Sequence, residues 1–386
     1  MSFFGTTDDD ALQVSFVGRN LELNLLHNAI MESTIVIIRG EVLVGKTYLV
    51  KDYLTKHTFV SNQKPTRFKS EDDRNHTAAG IYCELGYSDN SLVGIANQLA
   101  FGNNEFQGLL NYLDTATERR ELTIQISKFM VAKHLRTNED NEYLSANDLA
   151  LLQVIHQIIG KILIRYEKLI ICLDNLEHVS SAKFLKKFID MVTHANVQWI
   201  LVAKKQVSAT ALDYFEIESP TIPVIHIDRM SPSEAEILWQ DHFTSSGLNI
   251  QWTSEAITHI HLLSGNFPYL INFIGAAISS CVSKESPTLF GTTELQNALQ
   301  KIAHGEFTGM YERMFEYAMA SEDGSRCMMA FANSADVNGL SRIEISPNAI
   351  DLPPGWLLRE GNQRYIITFP QMQLYARLRY GIHLKN

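Results

Sequence analysis

Thr34-Ile35-Val36-Ile37-Ile38-Arg39 runs directly into Gly40-Glu41-Val42-Leu43-Val44-Gly45-Lys46-Thr47, and this junction decides the fold. The first run is β-branched and apolar without alternation. Such a run suits a central strand of a parallel sheet, buried on both faces. The second matches G-x-x-x-x-G-K-[ST], a loop whose backbone N–H groups turn inward around phosphate oxygens. Tyr48–Lys56 then reads as a helix, whose positive end adds to the field felt by a phosphate. Lys46 is placed to reach the terminal phosphates of a nucleotide, and the Thr47 hydroxyl to ligate Mg²⁺. With strand, loop and helix in that order, an accidental glycine-rich turn is the weaker account.

Outward from the junction, buried-strand runs recur. Ile81–Leu85, Lys168–Leu173, Trp199–Ala203 and Val224–Ile227 are the further strands expected. Ser91–Tyr166 is mainly helical in pattern, broken at Thr137–Asn141, and Ala182–His194 is amphipathic. This alternation implies an α/β fold, a parallel sheet covered by helices on both faces. After Asp228 the character changes. Ser231 caps a helix that opens at Pro232, with Glu234 in the capping-box position. Helices at Ser254–Ser264, Pro268–Cys281 and Glu294–His304 follow with no strand-like run between them. From about Gly305, helices are expected at Met310–Ala320 and Ser325–Ser334. Trp356–Phe369 then carries two β-like runs around Glu360-Gly361-Asn362, a hairpin signal. The expected division is 1–227 as an α/β nucleotide-binding domain, 228–304 as a helical lid and 305–386 as a winged helix.

Asp174 closes the Lys168–Leu173 strand. A carboxylate at the end of a buried strand, in the sheet that holds a phosphate loop, is placed to hold Mg²⁺. Asn175 follows it. An amide orients water but does not accept its proton. Glu177 substitutes as base only if its backbone turns inward.

Three further segments carry a family resemblance. Phe16-Val17-Gly18-Arg19, with Glu22-Leu23, resembles the "hhGRxxEL" segment of STAND NTPases and of the initiator/archaeal-ATPase branch of AAA+ proteins. Leu173-Asp174-Asn175-Leu176-Glu177-His178 resembles the "LDNxEH" Walker B of bacterial STAND regulators. Ser264-Gly265-Asn266-Phe267-Pro268-Tyr269 resembles the "GGxPxxL" helix start in the lid of both families. The resemblance spans nearly the whole chain. It implies a P-loop NTPase sheet of the ASCE type, with an additional strand between the P-loop and Walker B strands. It also implies ATP or ADP with Mg²⁺ as cofactors. The nucleotide-contacting residues it implies are Phe16, Val17, Gly18, Arg19, Gly40, Val44, Gly45, Lys46, Thr47, Tyr48 and Pro268. Thr47 and Asp174 would serve the metal, and Asp174, Asn175 and Glu177 the chemistry.

The chain departs from that pattern in two places. Asn175 stands where many AAA+ ATPases have a glutamate. Trp199–Ala203 runs into Lys204-Lys205 without the usual polar sensor, so Lys204 is the residue expected to face the γ-phosphate. Arg229, Arg313 and Arg326 are candidates for an arginine finger, with surface arginines the plainer account. His259 and His261, two apart, do not share a helix face as metal ligands would. Tyr311, Phe315 and Met319 share helical spacing, for which core packing is the default account.

Composition bounds the rest. In 386 residues, 45% are hydrophobic and 20% charged, the profile of a globular chain of two or three domains. The formal charge of −10 argues against non-specific nucleic-acid binding as the main task. Arg359, Arg364, Arg377, Arg379 and Lys385 in the last stretch still give a winged helix a means of touching DNA phosphates. In STAND proteins that domain instead packs on the nucleotide domain or binds protein, and both readings stay open. The four cysteines are scattered without metal-ligand spacing, and no apolar run reaches membrane-span length. The expectation is a cytoplasmic switch or assembly factor that hydrolyses ATP slowly and acts on a protein partner or effector chain. Self-assembly into a homo-oligomer and DNA contact are further options, and no membrane is involved. A DNA-associated initiator- or transposition-type ATPase and a non-hydrolysing, nucleotide-stabilised scaffold are the alternatives.

Overall fold

The computed structural model describes residues 18–41, 44–58, 78–85, 92–102, 107–113, 115–134, 145–176, 179, 182–204, 221–245, 248, 250–279, 288–295, 297, 325–326, 328–329, 342–344, 357–359 and 364–367. They fall into two compact units. One is drawn from Arg19–Glu41 and Lys46–Ile227, the other from Met1–Gly18, Val42–Gly45 and Asp228–Asn386.

The first unit is built on five parallel strands: β1 (Ile35–Gly40), β2 (Ala78–Glu84), β3 (Lys168–Asp174), β4 (Val197–Lys204) and β5 (Val224–Ile227). Their order across the sheet is β2-β3-β4-β1-β5. Trp199 of β4 is level with Ile35 on one side and Ile171 on the other. The additional strand expected between the P-loop strand and the aspartate strand is therefore β4. β1 connects towards the β2 edge while its neighbour β4 connects to β5 on the opposite side. Divergent connections of this kind open a crevice at the carboxyl ends of adjacent strands, where α/β sheets bind ligands.

Strand alternation divides the sheet between two helical layers. Ile37, Ala79, Ile81, Cys83, Leu169, Ile171, Leu173, Trp199 and Leu201 share one buried face. Their core includes residues of α3 (Leu92–Phe101), a 3-10 turn (Leu109–Tyr112), α4 (Ala116–His134), α5 (Ala146–Leu163) and α6 (Ala182–Val192). The other face carries Val36, Ile38, Tyr82, Ile170, Cys172 and Asp174, all buried. Packed against strands of this sheet are α1 (Asn20–Glu32) and α2 (Lys46–His57). Burial on both faces is why these strands read as unbroken apolar runs.

Several elements differ from the sequence reading. β2 begins at Ala78 rather than Ile81, because Ala78-Ala79-Gly80 offers no β-branched side chain although the segment is buried. A side chain cannot be added at Gly80: a Cβ there would lie 2.1 Å from Thr58 Oγ1. The sequence pattern does not show helix α1, because its leucines blur the period. Leu26 and Ile30 are buried while Leu21 and Leu25 are exposed.

The second unit contains α7 (Pro232–Ser245), α8 (Ser254–Ser264) and α9 (Pro268–Ser279). The expected capping box at Ser231 forms. Ser231 Oγ accepts from Glu234 N at 3.3 Å, and Ser231 N donates to Glu234 Oε2 at 2.8 Å. The expectation of uninterrupted helices is corrected. β6 (Ile250–Trp252) and β7 (Thr288–Phe290) pair in parallel. Three-residue strands are too short to show a period, and their support is tertiary. Trp252 packs edge-on against Trp239 and at a tilt against Phe243 and Phe290, with ring centroids 4.8, 5.1 and 5.1 Å away. The expected hairpin forms between β9 (Leu357–Arg359) and β10 (Arg364–Ile367), with β8 (Arg342–Glu344) on the far side of β10. The helix expected at Met310–Ala320, with Tyr311, Phe315 and Met319, lies outside the described residues.

Candidate functional site

The loop after β1 delivers Lys46 and Thr47 as the first two residues of α2. Gly45, just before them, has φ of +93°, a left-handed conformation that L side chains rarely adopt. The first turn of α2 contains no acidic residue, so nothing in it opposes an anion at the helix's positive end. Val44 is buried and Tyr48 is 63% exposed. Lys46 is buried, and its Nζ donates to the carbonyl oxygens of Gly40 at 3.0 Å and Glu41 at 2.6 Å. The ammonium is thereby held against the start of the loop that would cradle the phosphates.

Thr47 Oγ1 donates to Asp174 Oδ2 at 2.6 Å, joining residues far apart in sequence. The same carboxylate oxygen accepts from Tyr82 Oη at 2.7 Å, and Oδ1 accepts from the Asn175 backbone N–H at 2.7 Å. Asp174 is only 2% exposed, so this carboxylate is fixed in direction before any ligand arrives. Burial, and then the neighbouring Asp174 charge, pushes the Tyr82 phenol far above its ordinary range. Tyr82 is therefore a permanent donor. Lys51 Nζ lies 4.9 Å from the centroid of its ring. Burial likewise raises the Cys172 thiol well above its usual value, which keeps it un-ionised.

A hydroxyl and a buried carboxylate within 2.6 Å of one another are a hard-oxygen pair suited to Mg²⁺. Thr47 and Asp174 are the residues that would hold the ion. Bound there, it would neutralise phosphate charge. Lys46 and the inward N–H groups at the start of α2 would hold the phosphates themselves.

Asn175 sits at φ of +61°, a conformation Asn tolerates better than most residues. Its Nδ2 donates to Glu84 Oε1 at 3.4 Å. Tyr82 and Glu84 are the residues that sequence reasoning missed. Their i, i+2 spacing at the end of a strand was visible, but the pairing of β2 with β3 was not.

The remaining expected residues are placed as follows. Phe16, Val17, Glu177, Arg313, Arg377, Arg379 and Lys385 lie outside the described residues, as does the side chain of Lys204. Gly18 has φ of +86°. Arg19, 4% exposed, pairs with Glu22 at 2.6 Å, tying the arginine to the first turn of α1. Pro268 is the first residue of α9, where its fixed φ suits a helix start. The Arg229 guanidinium lies 4.5 Å from the centroid of the Phe267 ring, and Arg326 is exposed. His259 Nδ1 contacts Glu255 O at 2.9 Å, whereas His261 Nδ1 contacts Asn266 Oδ1 at 2.8 Å, so the two rings serve different partners. Among the described residues no helix is long and apolar enough to cross a membrane.

No family model and no curated protein matches the sequence. Among solved structures, the chain is similar to the Walker-type ATPase paby2304 of Pyrococcus abyssi. The TM-score is 0.45 and the identity 13%, covering 94% of this chain and 96% of that one. It is similar also to Cdc6p from Pyrobaculum aerophilum, with a TM-score of 0.45 and 11% identity, covering 97% of each chain. Neither likeness is close enough to assign a function. The strand order, and the contact of Thr47 at the start of α2 with the aspartate closing β3, give the first unit the parallel α/β fold of a P-loop NTPase.

Proposed function

We propose that this chain is an ATP-binding regulatory ATPase of the STAND/AAA+ type, a nucleotide-dependent switch or assembly factor that hydrolyses slowly. The observation that carries the reading is the 2.6 Å contact between Thr47 Oγ1 and Asp174 Oδ2, with Lys46 folded over the adjoining loop. This is the donor set that a Mg²⁺-nucleotide requires. Slow turnover is expected because the residue directly after Asp174 is Asn175, an amide and no base, so any proton acceptor has to reach the attacking water from another strand. In this reading 228–304 acts as the lid and 305–386 as a winged helix. The partner is a protein, either an effector chain or further copies of this one. The chain's net charge of −10 counts against non-specific DNA contact and so favours a protein partner. Salt-dependent DNA retention by the full chain, lost on neutralising Arg364, Arg377 and Arg379, would move that part to the DNA-binding class.

Lys46→Ala tests the nucleotide reading. The change deletes a charge that would lie against phosphate in a partly desolvated site. Affinity for Mg²⁺-ATP by titration calorimetry is expected to fall by about tenfold or more, a loss of ~1.4 kcal/mol or greater. Unchanged affinity would remove the basis of the assignment.

A further inference from the structure

Asn175 raises a chemical question. The carboxylate that usually follows the metal-binding aspartate is missing, and an amide cannot take the proton of an attacking water. We infer that Glu84, at the tip of the neighbouring strand β2, supplies that carboxylate and that Asn175 positions it. The inference rests on the nucleotide reading above and deepens it.

Three observations carry it. First, register: Glu84 is the ladder partner of Asp174, and the Leu85 N–H continues the ladder to Asp174 O at 3.1 Å. The Glu84 backbone is therefore held one strand spacing, ~4.8 Å, from that of the aspartate. Second, direction: residues two apart on a strand share a face, as do directly paired residues. Cys83 and Leu173 face the core of α3, α5 and α6. Tyr82 and Asp174 point the other way, where Asp174 meets Thr47 of α2 and Tyr82 meets Lys51. Glu84 belongs to this second set, on the side of the sheet that carries the phosphate loop's helix. Third, contact: Glu84 is exposed, and its Oε1 accepts from Asn175 Nδ2 at 3.4 Å. The left-handed backbone of Asn175 lets its N–H bind the Asp174 carboxylate while its side chain reaches the glutamate. One residue thus couples the metal-binding group to the proton acceptor.

In the step assigned to this pair, water attacks the γ-phosphorus of ATP. A new P–O bond forms, and the bond from phosphorus to the β–γ bridging oxygen breaks, its electron pair leaving on ADP. The proton lost by the water passes to a Glu84 carboxylate oxygen and then to solvent. No electrons change hands.

The test uses the full chain in excess over γ-labelled ATP with Mg²⁺. Single-turnover hydrolysis is read alongside calorimetric affinity and the identity of the nucleotide still bound. Glu84→Gln is expected to slow hydrolysis by about 10²–10⁴-fold, with affinity within about twofold and ATP recovered intact from the complex. Asn175→Ala is expected to cost about tenfold in rate, again with binding retained. Four results would overturn the assignment: Glu84→Gln hydrolysing at the parent rate, Glu177→Gln losing the rate that Glu84→Gln keeps, Glu84→Gln losing affinity together with rate, or a parent that binds Mg²⁺-ATP and cleaves none of it. All four leave nucleotide binding by the chain standing. A parent that binds no nucleotide defeats the nucleotide reading itself.

Discussion

Tyr82→Phe removes one oxygen atom from the site and leaves the ring in place. The lost hydroxyl donates at 2.7 Å to Asp174 Oδ2, a carboxylate that is 2% exposed. Hydrogen bonds to a charged group contribute about 1.5–3 kcal/mol, and a buried acceptor that loses a donor bears the desolvation cost in full. Oδ2 keeps Thr47 as donor, so the expected loss lies at the lower end, ~1.5–2 kcal/mol. For a unit of this size that is a fall in Tm of about 3–8 °C. Removing the charge as well separates the hydrogen bond from ring packing. In a double-mutant cycle with Asp174→Asn, read by urea unfolding monitored on tryptophan fluorescence, the two changes should couple by about 1 kcal/mol or more. Additive effects within ~0.3 kcal/mol would show that Tyr82 does not hold the carboxylate. In that case the account of a pre-fixed metal ligand fails.

Three other outcomes follow from the same site and sheet. Mg²⁺-ATP or ADP at ~100 times its dissociation constant should stabilise the chain by about 2.7 kcal/mol, seen as a rise in Tm that is absent in Lys46→Ala. Steady-state hydrolysis by the purified chain should stay below about 1 s⁻¹, and a faster phosphate-release rate would contradict the switch reading. Burial pushes the Tyr53 phenol up from 10.0 to about 12. Folding therefore favours its neutral form, a contribution complete below pH 10 and lost as pH rises towards 12. Tyr53→Phe cannot ionise, so its Tm relative to the parent should climb across that interval. A constant difference would refute the burial argument.

The linear order of residues determined a good deal on its own. Ile35–Ile38, Leu169–Leu173 and Trp199–Val202 had to be interior strands, because unbroken β-branched and apolar runs are stable only when both faces of a strand are covered. Gly45, Lys46 and Thr47 had to follow the first of these at a helix start, since the chemistry of that loop is local and its spacing is visible in one dimension. Asp174 was legible as a strand-end carboxylate for the same reason. The alliances between strands were not. That β4 lies between β1 and β3 was expected only from the family resemblance, because it depends on how twisted strands and their crossover helices pack, which no local pattern encodes. The β6–β7 pair escaped because three-residue strands exist only through the aromatic cluster that braces them. Tyr82 and Glu84 looked like ordinary strand residues until β2 was seen beside β3. Only that pairing sets a phenol on the Asp174 carboxylate and a second carboxylate against Asn175. Motif spacing thus specified the groups that meet phosphate, whereas the side chains that orient them come from a neighbouring strand, whose position is a property of the packed sheet.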